Sequence, residues 1–285
     1  MRSSPPLVIR EASPADRPQI SALLSAAHWR HFHLDWRDPL DLLAWPPNLL
    51  GYHGQRLVAH LAAPPDPQGA AWIRSFCVDA SLPPLSAWRQ LWAEAAAQCI
   101  ALGATRVASL ISGDWMRPLL EEAGFGETNS VVFFEWRGST VPPLPSFPGS
   151  LRALRPEDLP HIERVDSKAF SLLWQNGRES LAAALRQSIV ATGADVDGVL
   201  VGYQLTTASA LGAHLARLAV DPVLQGRGLG AALVIDLLER LQRRGYDSVT
   251  LNTQADNLRS QELYHRLGFR ETGQRYAVFE TLLAG

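Results

Sequence analysis

A glycine-rich loop between a strand and a helix most constrains the fold of this chain. An apolar run ends at Val220, and glycines recur at every second position from 226 to 230. Leucines at helical spacing follow and stop before Gly245, which predicts a helix over residues 231–244. Free backbone N–H groups in such a loop, together with the helix dipole, favour phosphate binding. The segment therefore predicts a phosphate-binding turn inside an α/β fold.

Two common nucleotide-binding loops do not fit these residues. A Walker loop needs Lys and then Ser or Thr after its last glycine, whereas Ala231-Ala232 stand there. The dinucleotide-binding fingerprint needs GxGxxG spacing, whereas these glycines give GxGxG. The spacing that fits is Gln-x-x-Gly-x-Gly, carried by Gln225, Gly228 and Gly230.

A second motif follows the loop. Residues 248–252 are typical of a strand, and residues 257–269 read Asn-x-x-Ser-x-x-x-Tyr-x-x-x-Gly-Phe. Taken together, the stretch from Gln225 to Phe269 resembles the acetyl-CoA-binding core of the GNAT N-acetyltransferase superfamily. This resemblance implies a mixed α/β fold, in which a twisted, mostly antiparallel sheet is flanked by helices.

The chain also repeats itself at a constant offset. Pro-x-Asp-x-Pro-x-Ile occurs at positions 14–20 and again at positions 156–162, and the same offset pairs Gly103 with Gly245. After a two-residue deletion, Gly124-Phe125 pairs with Gly268-Phe269. A register kept over about a hundred residues predicts two copies of one domain. We expect tandem GNAT-like domains at 1–137 and 150–285, joined by a Pro/Ser-rich linker at 138–149.

The first copy lacks the loop residues. Pro83, Ser86 and Trp88 stand at the positions that Gln225, Gly228 and Gly230 hold in the second copy. Pro83 has no N–H to offer a phosphate, and Trp88 adds bulk where the backbone must stay open. We therefore expect only residues 150–285 to bind acetyl-CoA. Residues 1–137 are expected to be a degenerate copy with a structural or substrate-shaping role.

Composition excludes several other functions. The formal net charge is −2, so no basic field favours nucleic acid. Two cysteines are too few for a disulfide framework or a structural zinc site, and no apolar run approaches membrane-spanning length. The His-rich stretch 28–35 lacks a matching ligand cluster, so its aromatic residues predict a contact surface rather than a metal site. We expect a cytoplasmic monomer or homodimer without metal, membrane or nucleic-acid partners.

The resemblance implies a role for each candidate site residue. The pyrophosphate of acetyl-CoA would be bound by the loop backbone, which comprises Gln225, Gly226, Arg227, Gly228, Leu229 and Gly230. The pantetheine arm would be bound by Leu218, Ala219 and Val220 of the strand, and by Asn257 and Tyr264 of the second motif.

Two side chains are candidates for proton transfer. Tyr264 stands where the family has its general acid, and a phenol with a pKa near 10 can protonate the leaving thiolate. Some family members carry a Glu six residues before the position of Val220, and His214 stands there. Its imidazole could accept a proton from the ammonium group. The open alternative is a strand-edge histidine without a role.

These residues predict an N-acetyltransferase that moves an acetyl group from acetyl-CoA to a primary amine. A small-molecule amine is the expected acceptor. Phe170 and Trp174 faintly resemble the ribosomal-protein alanine acetyltransferases, so the N-terminal amine of a peptide or protein is an alternative acceptor. An acyl-CoA-binding sensor without turnover is the alternative from another class, and the intact Tyr264 argues against it.

Overall fold

The computed structural model describes residues 6–67, 69–138, 140–209 and 212–283. Ser139 of the expected linker lies outside these ranges, and so do residues 1–5 and 284–285 of the two expected domains. The chain forms two compact units. Unit 1 comprises Met1–Thr128 and Tyr276–Gly285, and unit 2 comprises Asn129–Arg275.

The described residues of unit 1 contain a five-stranded sheet and three α-helices. The helices are α1 (Arg17–Ala26), α2 (Pro84–Ala101) and α3 (Arg117–Glu122). The strands are β1 (Val8–Glu11), β2 (Trp29–Phe32), β3 (Asn48–His53), β4 (Arg56–Ala62), β5 (Ala70–Trp72), β6 (Ser75–Val78) and β7 (Arg106–Ile111). The five-stranded sheet has the order β1-β3-β4-β6-β2, and β5 pairs in parallel with β7. Trp88, which is 1% exposed, packs against Phe76 and Phe125 in the core.

Unit 2 carries the segment that holds the predicted loop. It begins within β8 (Gly126–Arg137) and ends within β14 (Arg270–Leu282). Its helices are α4 (Leu159–Ala169), α5 (Arg178–Gln187), α6 (Leu229–Arg243) and α7 (Leu258–Arg266). Its other strands are β9 (Ser150–Ala153), β10 (Val190–Val196), β11 (Val199–Ser209), β12 (Gly212–Val220) and β13 (Ser248–Gln254). The strand order is β8-β13-β12-β11-β10-β9.

The predicted repeat is confirmed by the element order. The bounds of β1 and β9 differ at both ends by the offset of the sequence repeat, and the first residues of β3 and β10 are separated by the same offset. The first residues of β8 and β14 stand two positions further apart, as the two-residue deletion requires. The fold is therefore mixed α/β and contains two copies of one domain.

The last strand of each copy completes the other unit. Residues 131–137 of β8 pair antiparallel with β13, although β8 ends the first copy. Residues 277–282 of β14 pair antiparallel with β7, although β14 ends the second copy. The unit boundary therefore falls after Thr128 instead of after residue 137, and the expected linker 138–149 lies within unit 2. The sequence repeat is defined by position along the chain, whereas the two compact units are defined by which strands pair with each other.

One local expectation changes in the structure. Trp29, expected on a contact surface, packs against the core of unit 1, where its ring centroid lies 5.5 Å from that of Trp115. Asp197 and Gly198 join β10 to β11, and both residues have positive φ (51° and 74°), as a tight hairpin turn requires.

Candidate functional site

The central feature of unit 2 is a gap between two parallel strands. β12 pairs with β13 only over residues 213–215, although β12 runs on to Val220 beside β11. The N–H of Asp221 donates to the carbonyl of Val201 at 2.7 Å. Because strand residues alternate in direction, the backbone groups of Leu218 and Val220 point away from β11 and toward the gap. They can bond an extended polar ligand there.

A cavity of about 450 Å³ lies at this gap. Its walls come from the end of α4, the end of β12, the glycine-rich loop, the first turn of α6 and one face of α7. The cavity brings together most of the predicted cofactor-binding residues, namely Leu218, Ala219, Val220, Gln225, Gly226, Gly228, Leu229, Gly230 and Asn257. Arg227, Tyr264 and His214 lie outside its described wall.

The loop conformation depends on two glycines. Gly226 and Gly228 have φ of 80° and 86°, a region that disfavours L side chains by roughly 1–2 kcal/mol. Gly228 is the N-cap of α6, and the N–H of Ala232 donates to its carbonyl at 2.9 Å. The N–H groups of residues 229–231 precede that bond and have no acceptor within the helix. With the helix dipole, they form an anion-binding end of the cavity.

The side chain of Gln225 joins the end of β12 to α7. Its Nε2 donates to the carbonyl of Val220 at 3.0 Å, and its Oε1 accepts from Nη1 of Arg259 at 2.7 Å. A Cβ at Gly226 would lie 3.0 Å from Nη2 of Arg259, so glycine also makes room for this guanidinium. Gln225 therefore fixes both the loop and a cation at the cavity.

Two arginines of the cavity wall were missed by the sequence reasoning. Arg259 and Arg266 both line the cavity from α7. They stand seven residues apart, about two helical turns, and so share one face. That spacing was visible in the sequence, but the direction of the face was not. Both arginines add positive charge near the anion-binding end.

Asn257 lines the cavity and also caps a helix. It is the N-cap of α7, and its Oδ1 accepts from the N–H of Ser260 at 3.2 Å. A cap of this kind stabilises the first turn of a helix by roughly 1 kcal/mol. Asn257 therefore holds the beginning of α7 at the cavity.

Tyr264 lies in the core beside the cavity. Its side chain is mostly buried, and its ring packs against Phe134 and Phe269. It follows Ser260, a wall residue, by four positions and so lies on the same helix face. Burial raises the pKa of Tyr264 above its usual value. The phenol is therefore protonated at neutral pH.

His214 lies where β12 still pairs with β13. Its Nδ1 lies 2.9 Å from Oγ1 of Thr250, and its Nε2 lies 3.2 Å from Oδ1 of Asn252. Burial lowers the pKa of His214, and the hydrogen bond to Asn252 opposes that shift. The imidazole is therefore neutral at pH 7, with a partner at each ring nitrogen.

Parts of the chain are similar in sequence to known proteins. The Acetyltransferase (GNAT) family matches residues 152–269. The [ribosomal protein bS18]-alanine N-acetyltransferase of Escherichia coli (strain K12) is 27% identical over 132 residues, which cover 46% of this chain and 88% of that protein. The mycothiol acetyltransferase of Clavibacter sepedonicus is 40% identical over 77 residues, which cover 27% of this chain and 25% of that protein.

A solved structure resembles the whole chain. It is a tandem GNAT protein from the clavulanic acid biosynthesis pathway, with a TM-score of 0.65 and 18% identity, and the match covers 98% of this chain and 99% of that one. The fold and the cavity define a mixed α/β domain in which the N-terminus of a helix lies beside two diverging strands. Residues 152–269 form a GNAT acetyltransferase domain, and the chain is an acyltransferase.

The described residues contain neither a candidate metal site nor a candidate membrane-spanning helix. Within the described ranges, no three His, Cys, Asp or Glu side chains are grouped so that they could hold a metal ion. None of the helices in those ranges has the length and apolar character that crossing a membrane requires.

Proposed function

We propose that unit 2 is an N-acetyltransferase that moves an acetyl group from acetyl-CoA to a primary amine. The observation that carries the proposal is the combination, in one cavity, of N–H groups without a helical acceptor at the start of α6 and of backbone groups at the end of β12 that point away from β11. A ligand with phosphates at one end and amides along an extended arm satisfies both sets of groups. Acetyl-CoA has that chemistry.

The binding roles follow from the cavity wall. The N–H groups of residues 229–231 and the guanidinium groups of Arg259 and Arg266 bind the phosphates. The backbone of Leu218 and Val220 bonds the amides of the arm, much as a neighbouring strand would. Gln225 holds Arg259 in place, and Gly226 and Gly228 let the loop backbone approach the ligand.

The chemistry needs one group to donate a proton and one to accept it. Bound acetyl-CoA supplies a thioester whose carbonyl the amine attacks. Tyr264 is the general acid of this proposal, because its raised pKa keeps the phenol protonated. His214 is the candidate base, because its lowered pKa keeps the imidazole neutral. Because Nε2–H donates to Oδ1 of Asn252, Nδ1 is the basic nitrogen, and it can accept a proton once the hydroxyl of Thr250 releases it.

Unit 1 does not take part in acetyl-CoA binding in this proposal. Pro83 and Pro84 are the N-cap and the first residue of its helix α2, and neither has an N–H group, so the start of this helix offers a phosphate fewer donors than the start of α6. Trp88, at the position of Gly230, is buried in the core. A structural or substrate-shaping role stays the prediction for this unit.

A small-molecule amine is the proposed acceptor, and a peptide N-terminus is the second candidate. The second candidate is favoured by the relative that acetylates an alanine of a ribosomal protein, because the match covers 88% of that relative. Steady-state CoA release by the full chain, with small amines in one panel and short peptides with free N-termini in another, separates the two.

The same assay tests the function itself. Turnover that needs both acetyl-CoA and an amine supports the proposal. Binding of acetyl-CoA with no CoA release across both panels would contradict an enzyme and support an acyl-CoA sensor.

A further inference from the structure

A buried ion pair lies behind the cavity wall. Asp166 of α4 is 0% exposed, and its carboxylate accepts two hydrogen bonds from Arg217 of β12, at 2.8 Å each. The hydroxyl of Tyr203 and the N–H of Asn176 also donate to this carboxylate. Its oxygens therefore take four hydrogen bonds, so the buried charge is well compensated.

Arg217 connects β12 to the segment between α4 and α5. Its Nη2 donates to the carbonyl of Trp174 at 2.8 Å, and its guanidinium carbon lies 3.5 Å from the ring centroid of Phe170. Phe170 lines the cavity, and Arg217 directly precedes Leu218, whose backbone faces the gap. Arg217 thus fixes residues 170–174 against the strand that forms the other side of the cavity.

A comparison of the two copies distinguishes the cluster around Asp166 from an ion pair that both copies contain. Arg10 pairs with Asp16 in the first copy, and Arg152 pairs with Asp158 at the same offset in the second, both through two hydrogen bonds. That pair belongs to the fold, since both copies keep it.

The cluster around Asp166 is present in the second copy alone. The first-copy positions that correspond to Asp166, Tyr203 and Arg217 hold Leu24, Leu61 and Ser75. The copy that lost the glycine loop therefore also has an apolar or small residue at each member of the cluster. The cluster therefore occurs only in the copy that has the cavity, and it is not part of the fold that both copies share.

Arg217 precedes Leu218 on β12, whereas the glycine-rich loop follows Val220, so Arg217 and Phe170 mark the end of the cavity away from the loop. We propose that Arg217, held by Asp166, is a positioning residue for this end, where the amine meets the acetyl group in the proposed function. It acts by fixing Phe170 and the following segment, and it touches neither acetyl-CoA nor the reacting atoms. The inference rests on the proposed acetyltransferase function. Loosening Arg217 then weakens binding of the amine while acetyl-CoA still binds, because the loop and the start of α6 are unchanged.

The test replaces Arg217 by Lys in the full chain. Lys keeps the charge but loses the forked hydrogen bonds and the flat stacking on Phe170. The matched control is Arg152→Lys, the same change at the pair that both copies share. We expect Arg217→Lys to raise the acceptor KM about tenfold or more, because a rise in KM reports weaker binding of the amine. The acetyl-CoA Kd should stay within about twofold of the wild-type value. Arg152→Lys should lower the Tm without moving either constant.

Three outcomes decide the proposal. An unchanged acceptor KM in Arg217→Lys, or an equal rise in the acetyl-CoA Kd, overturns it. If Arg217→Lys does not fold, Tyr203→Phe removes one hydrogen bond to Asp166 and should raise the acceptor KM in the same direction, and an unchanged KM there overturns it. Absence of turnover in the wild-type chain would instead contradict the proposed function.

Discussion

The sharpest prediction compares alanine at the two ends of α6. Gly228 caps the beginning of the helix with φ of 86°, and Gly245 follows its end with φ of 83°. Alanine in this left-handed region is disfavoured by roughly 1–2 kcal/mol at either position. Each variant should therefore lose about that much stability, or roughly 2–4 °C of Tm for each kcal/mol in a domain of this size.

The two variants should differ in acetyl-CoA binding. A Cβ at Gly228 would lie 3.3 Å from the carbonyl oxygen of Ser146, whereas a Cβ at Gly245 meets nothing within 4 Å. Relaxing Gly228 turns loop N–H groups away from the phosphates. Loss of one hydrogen bond to a charged group weakens binding by roughly 1.5–3 kcal/mol. We therefore expect the Kd to rise roughly 10- to 100-fold in Gly228→Ala.

Calorimetric titration with acetyl-CoA and thermal unfolding of the same samples measure both effects. The expected result is a similar loss of Tm in the two variants and a raised Kd in Gly228→Ala alone. Wild-type affinity in Gly228→Ala, or an equal loss of affinity in Gly245→Ala, would refute the assignment of the loop to the phosphates.

Three further predictions concern proton transfer, charge and pH. Tyr264→Phe and His214→Gln should each lower kcat on the order of 100-fold, with acetyl-CoA Kd unchanged; a kcat within twofold of wild type, with chemistry rate-limiting, would remove that residue from the mechanism. Arg259→Gln should raise the acetyl-CoA Kd about tenfold by calorimetry, and the effect should shrink at high salt; the exposed control Arg243→Gln should bind like wild type. The hydrogen bonds from Arg152 lower the pKa of Asp158 below its unfolded value of about 3.9, so this stabilisation is present above that pH and is lost as pH falls through the folded pKa. Asp158→Asn should thus lower the Tm at pH 7, and a Tm difference from wild type that does not shrink below about pH 4 would contradict the linkage.

The loop and the repeat could be predicted because their signals are local. Glycines at alternate positions, a following amphipathic helix and a constant offset are all visible in one sequence. The structure has the loop at Gln225–Gly230 and the second copy at the expected offset. The exchange of β8 and β14 could not be predicted. Both strands end their copies with similar patterns, and a pattern of alternating side chains does not name the strand with which it pairs.

The candidate site was likewise predictable from the sequence only in part. The sequence motif included Arg259, but only the tertiary structure shows that its guanidinium bonds Gln225 and lines the cavity. Asn257 was interpreted as a ligand contact, and its capping bond to Ser260 is an additional role that helix geometry explains. Asp166 carried no signal, because a single acidic residue in an amphipathic helix resembles a solvated one until its buried partner Arg217 is known.

A crystal structure of the full chain with bound CoA tests the central claim most directly. The account predicts one CoA per chain, in the cavity beside Leu218, with its pyrophosphate within hydrogen-bond distance of the N–H groups of residues 229–231. A CoA bound in unit 1 at the start of α2, or a pyrophosphate bound away from the start of α6, would contradict the account.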